Sequence, residues 1–183
     1  MWKKFLVLLL LPFLSCSTDE ETLYFVGDSL IHNWDVDACF PTRVTENHGI
    51  IGSGIEDWKN TTAYLEKDVV ILIGTNDLRK DMDVDAYTDK YMDIIEHLRA
   101  KRIYLFSLLP REESIYYDIN ATIVEVNKSI QQKVKSYPQI IYLDVHDLFV
   151  KDGVLNMEYS FDGLHINDLG YEILTKKLAK RLK

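Results

Sequence analysis

Five consecutive apolar residues, Val69-Val70-Ile71-Leu72-Ile73, constrain this chain more than any other feature. With no polar alternation, such a run fits a strand buried on both faces. Similar short runs flank it. Leu23-Tyr24-Phe25-Val26 reads as a first strand ending at Gly27, and Val44 to Asn47 as a short second one. Ile103-Tyr104-Leu105-Phe106, closed by Pro110, and Ile140-Ile141-Tyr142-Leu143 complete five. Between them apolar residues recur at helical spacing: Val84, Tyr87, Tyr91, Ile94, Ile95 and Leu98, then Ile119, Ile123, Val126, Ile130 and Val134. Leu174, Leu178 and Leu182 mark a final helix that Asn167 or Asp168 could cap. A helix is also expected around Asp57-Trp58 and Tyr64-Leu65. Strand–helix alternation predicts an α/β fold, a mostly parallel five-stranded sheet covered by helices on both faces. At 183 residues this is one domain, with no repeat or long linker.

Such sheets hold their sites at the carboxyl ends of the strands, and four chemically useful segments fall there. Gly27-Asp28-Ser29-Leu30 follows strand one and offers a hydroxyl. Asn47-His48-Gly49-Ile50-Ile51-Gly52 follows strand two, and Gly74-Thr75-Asn76-Asp77 follows strand three. Asp162-Gly163-Leu164-His165 precedes the last helix. A serine needs an adjacent base to become nucleophilic, and a histidine, titrating near neutrality, can take and return its proton. A carboxylate three residues before His165 can hold its second ring nitrogen. A glycine amide and a carboxamide can donate to a developing oxyanion, at about 3 kcal/mol per donor. Each segment alone also fits ordinary turn or cap chemistry: Asp28 or Ser29 could simply cap the next helix, and Asp162-Gly163 could be a plain turn.

Together, in this order, the four segments resemble the SGNH/GDSL hydrolase family. The resemblance covers nearly all of the chain after residue 21. Smaller echoes are Pro110, Asn127 and the segment Val145-His146-Asp147-Leu148-Phe149. It implies a flavodoxin-like three-layer α/β/α sandwich over 22–183. It implies Ser29, Asp162 and His165 as catalytic residues, with an oxyanion hole of the Ser29 amide, Gly52 and Asn76. The choice of Gly52 over Gly49 rests on this resemblance, with Gly49 structural. The implied activity is a serine esterase using no metal and no organic cofactor. Short acyl or O-acetyl groups on small molecules or glycans are the favoured substrates. Lysophospholipase or thioesterase activity on longer chains, acyl transfer to an alcohol, and a non-catalytic surface binding protein are the alternatives. His32 and His48 read as ordinary polar loop residues, and Asp77, Arg79, Lys80 and Asp81 as a solvated loop.

A formal charge of −8 disfavours nucleic acid as a partner. The start reads as an export signal, in which Lys3 and Lys4 precede an apolar run from Phe5 to Leu14 that is too short for an ordinary membrane span. Leu14-Ser15-Cys16 resembles a bacterial lipoprotein cleavage box. That resemblance implies a signal peptide over 1–15, a lipid on Cys16 as the sole membrane attachment, and an acidic tether over 16–21. It places the protein outside the cytoplasm, anchored to the outer membrane. Cys39 then has no partner; a Cys16–Cys39 bridge is the alternative. Oligomeric state stays open.

Overall fold

The structure, a computed structural model, describes residues 22–61 and 63–182; the signal-like segment and Cys16 lie outside them. Strand β1 (Leu23–Gly27) is followed by two four-residue helices, α1 (Ser29–His32) and α2 (Val36–Cys39), and by β2 (Thr45–Gly49). Then come β3 (Asp68–Leu72), α3 (Val84–His97), β4 (Arg102–Phe106), α4 (Glu113–Tyr116), α5 (Asn120–Lys133) and β5 (Ile140–Leu143). A small antiparallel hairpin, β6 (Val150–Lys151) and β7 (Val154–Leu155), precedes α6 (Asp168–Ala179).

The first five strands form one sheet in the order β2-β1-β3-β4-β5, every neighbouring pair parallel. This is the flavodoxin-like order, and its chain reversal places the switch point between β1 and β3. Residues of β3 alternate between two cores. Val69 and Ile71 pack with α3 and α5, through Tyr91, Ile95, Ile123 and Val126. Val70 and Leu72 pack with α1 and α6, through Leu30, Ile31, Leu174 and Leu178, and with Trp34. All five β3 residues are buried, which is why the strand shows no polar alternation.

Two expectations are corrected. The second strand runs Thr45–Gly49 rather than Val44 to Asn47, because pairing with β1 sets its register, Leu23 opposite Thr45 and Gly27 opposite Gly49. Among the described residues no α-helix links β2 to β3; Ile55–Trp58 forms a single 3-10 turn. Tyr64 donates its backbone N–H to Leu98 and Leu65 bridges to Ala100, so this backbone is paired with the end of α3 instead of with itself. Asn167 caps α6, its side chain accepting the Gly170 N–H at 3.2 Å. Leu182 lies past the helix but packs on the same core as Leu178. Cys39 is half-buried and carries no disulfide among the described residues.

Candidate active site

β1 and β3 stay paired up to Gly27, where a Cβ would lie 2.0 Å from the Leu72 carbonyl oxygen. Close approach, rather than a special turn conformation, is what requires glycine there. Asp28 is fully buried and caps α1, its Oδ1 accepting the Leu30 N–H at 2.9 Å. Burial, only partly offset by that bond, pushes the Asp28 carboxyl up to about 6. With Asp28 supplying the cap, the Ser29 hydroxyl is free. Its Oγ lies 2.9 Å from Nε2 of His165.

The histidine loop is built around Asp162. Its Oδ1 accepts the N–H groups of Leu164 and His165 at 2.9 and 2.7 Å, and its Oδ2 lies 2.6 Å from His165 Nδ1. Partial burial raises the Asp162 pKa, but the bonds from the His165 ring and the two amides outweigh it, so the carboxyl sits below its ordinary value. A carboxylate at Nδ1 favours the tautomer with its proton there, leaving the Nε2 lone pair toward Ser29. Ser160 fixes the loop from beneath, donating to the His165 carbonyl at 2.6 Å and accepting the Gly163 N–H at 2.9 Å. Phe161 stacks on the imidazole, 6.0 Å between centroids and 11° between planes, and is 65% exposed.

The loops after β2 and β3 are fastened together. Asn76 Nδ2 donates to the Ser53 carbonyl at 3.0 Å, which leaves its second proton available. Asp77 Oδ2 accepts the Ile55 N–H at 3.0 Å. Asp77 is half-buried, and burial raises its pKa. The reading of Asp77 to Asp81 as a solvated loop is therefore corrected at Asp77; Arg79 is exposed, as read, with its Nη1 donating to the carbonyls of Asn76 and Leu78. Gly49 and Gly52 differ sharply. A Cβ on Gly49 would lie 2.2 Å from the His32 nitrogen, whereas Gly52 is exposed, at φ +76°, with nothing within 4 Å.

The loop after β4 joins these parts, and sequence reasoning passed over it. Asn127 brackets Leu108, accepting its N–H at 2.8 Å and donating to its carbonyl at 2.9 Å. Asn120 does the same for Arg111, at 2.8 Å each way. From there Arg111 Nη2 donates to the carbonyl and hydroxyl of Thr75, while the Glu112 N–H donates to Gly163 at 2.9 Å. Pro110 and Asn127 were the available signals. His32 bonds the Gly49 carbonyl and His48 sits between Glu46 and Tyr64, both outside the serine–histidine pair. Among the described residues no group of three or more His, Cys, Asp or Glu side chains could hold a metal ion.

A parallel sheet of this order, with a hydroxyl, an imidazole and a carboxylate joined at its carboxyl edge, is the architecture of an α/β ester hydrolase. Residues 25–173 match the GDSL-like Lipase/Acylhydrolase family, and the chain belongs to that family of carboxylic ester hydrolases. It is 32% identical over 178 residues to an N-acylneuraminate cytidylyltransferase of Escherichia coli O18:K1:H7 (strain RS218 / NMEC). That match takes in 91% of this chain, which spans only 41% of the relative's length. Among solved structures it is similar to a Streptococcus pneumonia protein provisionally assigned as a platelet activating factor. There the TM-score is 0.77 and identity 28%, covering 92% of this chain and 87% of that one. It also shares its fold with an acetyl xylan esterase of Geobacillus stearothermophilus, at TM-score 0.66 and 18% identity, covering 87% and 93%.

Proposed function

We propose that this protein is a serine esterase that removes short acyl groups, foremost O-acetyl groups on carbohydrates, through an acyl-enzyme. One observation carries the reading: the continuous chain from Ser29 Oγ to His165 at 2.9 Å and on to Asp162 at 2.6 Å. Ser29 Oγ attacks the ester carbonyl carbon as its proton passes to His165 Nε2. The oxyanion that forms is held by the N–H groups of Ser29 and Gly52 and by Asn76 Nδ2. Its collapse breaks the bond to the alcohol, which leaves with the proton from His165. Water repeats the route, releasing the carboxylic acid and restoring Ser29. Asp162 keeps the imidazole oriented and stabilises its protonated form.

Three observations favour a small acyl group on a sugar. One structural neighbour is an acetyl xylan esterase, and the name of the curated relative concerns an acylated acidic sugar. An open cleft of about 640 Å³ also runs beside the histidine loop, lined by Asn33, Phe161, Ile166, Asn167, Asp168, Leu169 and Tyr171. An open cleft with asparagine and aspartate on its walls suits a polar alcohol. A series of 4-nitrophenyl esters tests the acyl choice: acetate is expected to outrun decanoate in kcat/KM. A preference for decanoate would move the reading to lysophospholipids or long-chain thioesters. No turnover of any ester by the folded protein would leave a binding protein, and acylated sugar among the products would make it a transferase.

We also propose that the chain is exported and held at the outer membrane by a lipid on Cys16, with 22–183 as the enzyme domain. The support is the basic start, the short apolar run and the cysteine that ends it. Metabolic labelling with a palmitate analogue is expected to mark the protein and to fail with Cys16→Ser; equal labelling of both would reject the anchor.

A further inference from the structure

We propose that Arg79 and Arg111 form an anion subsite beside the oxyanion loop, one that selects esters whose alcohol portion carries a carboxylate. The proposal rests on the serine-esterase reading and names its substrate class.

Both guanidinium groups are tied to the same short turn. Arg79 Nη1 donates to the carbonyls of Asn76 and Leu78, at 2.9 and 2.7 Å. Arg111 Nη2 donates to the carbonyl and hydroxyl of Thr75. The Arg111 backbone is clamped by Asn120, and the next residue donates to Gly163 of the histidine loop. Arg111 therefore lies between the loop that holds the oxyanion and the loop whose histidine protonates the leaving alcohol.

Neither arginine has a carboxylate within ion-pair distance among the described residues. The acids around them are engaged elsewhere. Asp28 faces the Leu30 amide and Asp77 the Ile55 amide. Glu112 bonds Ser114, Glu113 bonds the Asn120 amide, and Asp118 pairs with Lys80. Burial and the neighbouring Arg79 charge both lower the Arg111 pKa, with Asp28, Tyr116 and Tyr87 opposing. In a chain of net charge −8, two like charges are thus held together without a carboxylate between them. Arg79 is exposed and Arg111 half-buried, so both can be reached by an anion from solvent. Carbonyl bonds hold the forks in place, and Arg111 Nη1 donates to no group among the described residues. A planar guanidinium with free donors matches a carboxylate in two-point contact.

The test compares mono-O-acetylglucuronate with mono-O-acetylglucose, which differ in one carboxylate, by the ratio of their kcat/KM values. The native enzyme is expected to favour the uronate by about tenfold or more, the scale of one charge-assisted hydrogen bond. Arg79→Gln and Arg111→Lys are each expected to bring the ratio toward one, mainly through KM. Lys151→Gln, the same charge change as Arg79→Gln but on the exposed hairpin, is expected to leave the ratio unchanged. Equal rates on both sugars in the native enzyme, or a ratio that survives both arginine variants, would overturn the subsite. Faster cleavage of acetylglucose 6-phosphate than of the uronate would overturn the carboxylate assignment. Failure to hydrolyse either sugar or any aryl acetate would instead reject the esterase reading beneath it.

Discussion

Ser29 and His165 stand 136 residues apart in the chain, yet the Oγ of one lies 2.9 Å from the Nε2 of the other. A hydrogen bond ties α6 to α1 beside them. The Tyr171 hydroxyl in α6 donates to the Leu30 carbonyl at 2.8 Å, one residue past the serine. Tyr171→Phe is expected to lower stability by about 1 kcal/mol in urea unfolding, because the buried carbonyl loses its donor. Turnover of an aryl acetate should fall with it. A loss of stability with unchanged kcat would mean that this bond does not position the pair.

Asp162→Asn keeps an acceptor oxygen for the Leu164 and His165 amides but removes the anion at Nδ1. The loop should hold while kcat drops about a thousandfold or more, as the ring loses its required tautomer. Steady-state kinetics beside an unchanged circular dichroism spectrum checks this.

Two carboxyls shift in opposite directions, and so do their effects on stability. Asp28 is raised to about 6, so between pH 4 and 6 the folded state binds a proton that the unfolded chain has lost. Its contribution to stability therefore falls as pH rises through that window, by about 3 kcal/mol, and levels off above it. Asp162 is lowered, so the stability it supplies is present above the unfolded value and is lost as pH drops below about 4. Asp28→Asn keeps the cap oxygen and removes the first effect. Urea midpoints at pH 4, 5, 6 and 7 should show the variant gaining on the native protein across that range. A constant difference would refute the assignment.

Gly49 and Gly52 should respond differently to alanine. At Gly49 the new Cβ meets backbone at 2.2 Å, so Gly49→Ala is expected to cost at least about 2 kcal/mol. At Gly52 there is open space but φ is +76°, a strain of about 1 kcal/mol for alanine. Gly52→Ala should therefore cost less stability but about tenfold or more in kcat, by shifting the proposed oxyanion donor. Thermal melts and kinetics on both variants separate the two roles.

How much was legible in the sequence follows from which interactions are local. β3 announced itself because burial on both faces removes polar alternation, and α3 and α5 because one stripe of each faces the sheet. The four candidate segments could be read because each residue type has its own chemistry and falls at a strand end. The β2–β3 crossover was misread because Tyr64 and Leu65 take their partners from the far end of α3. Asp77 was misread as solvated and Arg111 was passed over for a related reason. Charged residues after a strand look solvated until the fold shows that Asp77 accepts from the Ile55 amide and Arg111 donates to Thr75.

Covalent labelling at Ser29 tests the central claim most directly. A fluorophosphonate should add once per chain, and peptide mass spectrometry should place it on Ser29. Ser29→Ala should take up no label and lose ester turnover while melting at the native temperature. A label on another residue, or an alanine variant that still hydrolyses aryl acetate at the native rate, would contradict the account.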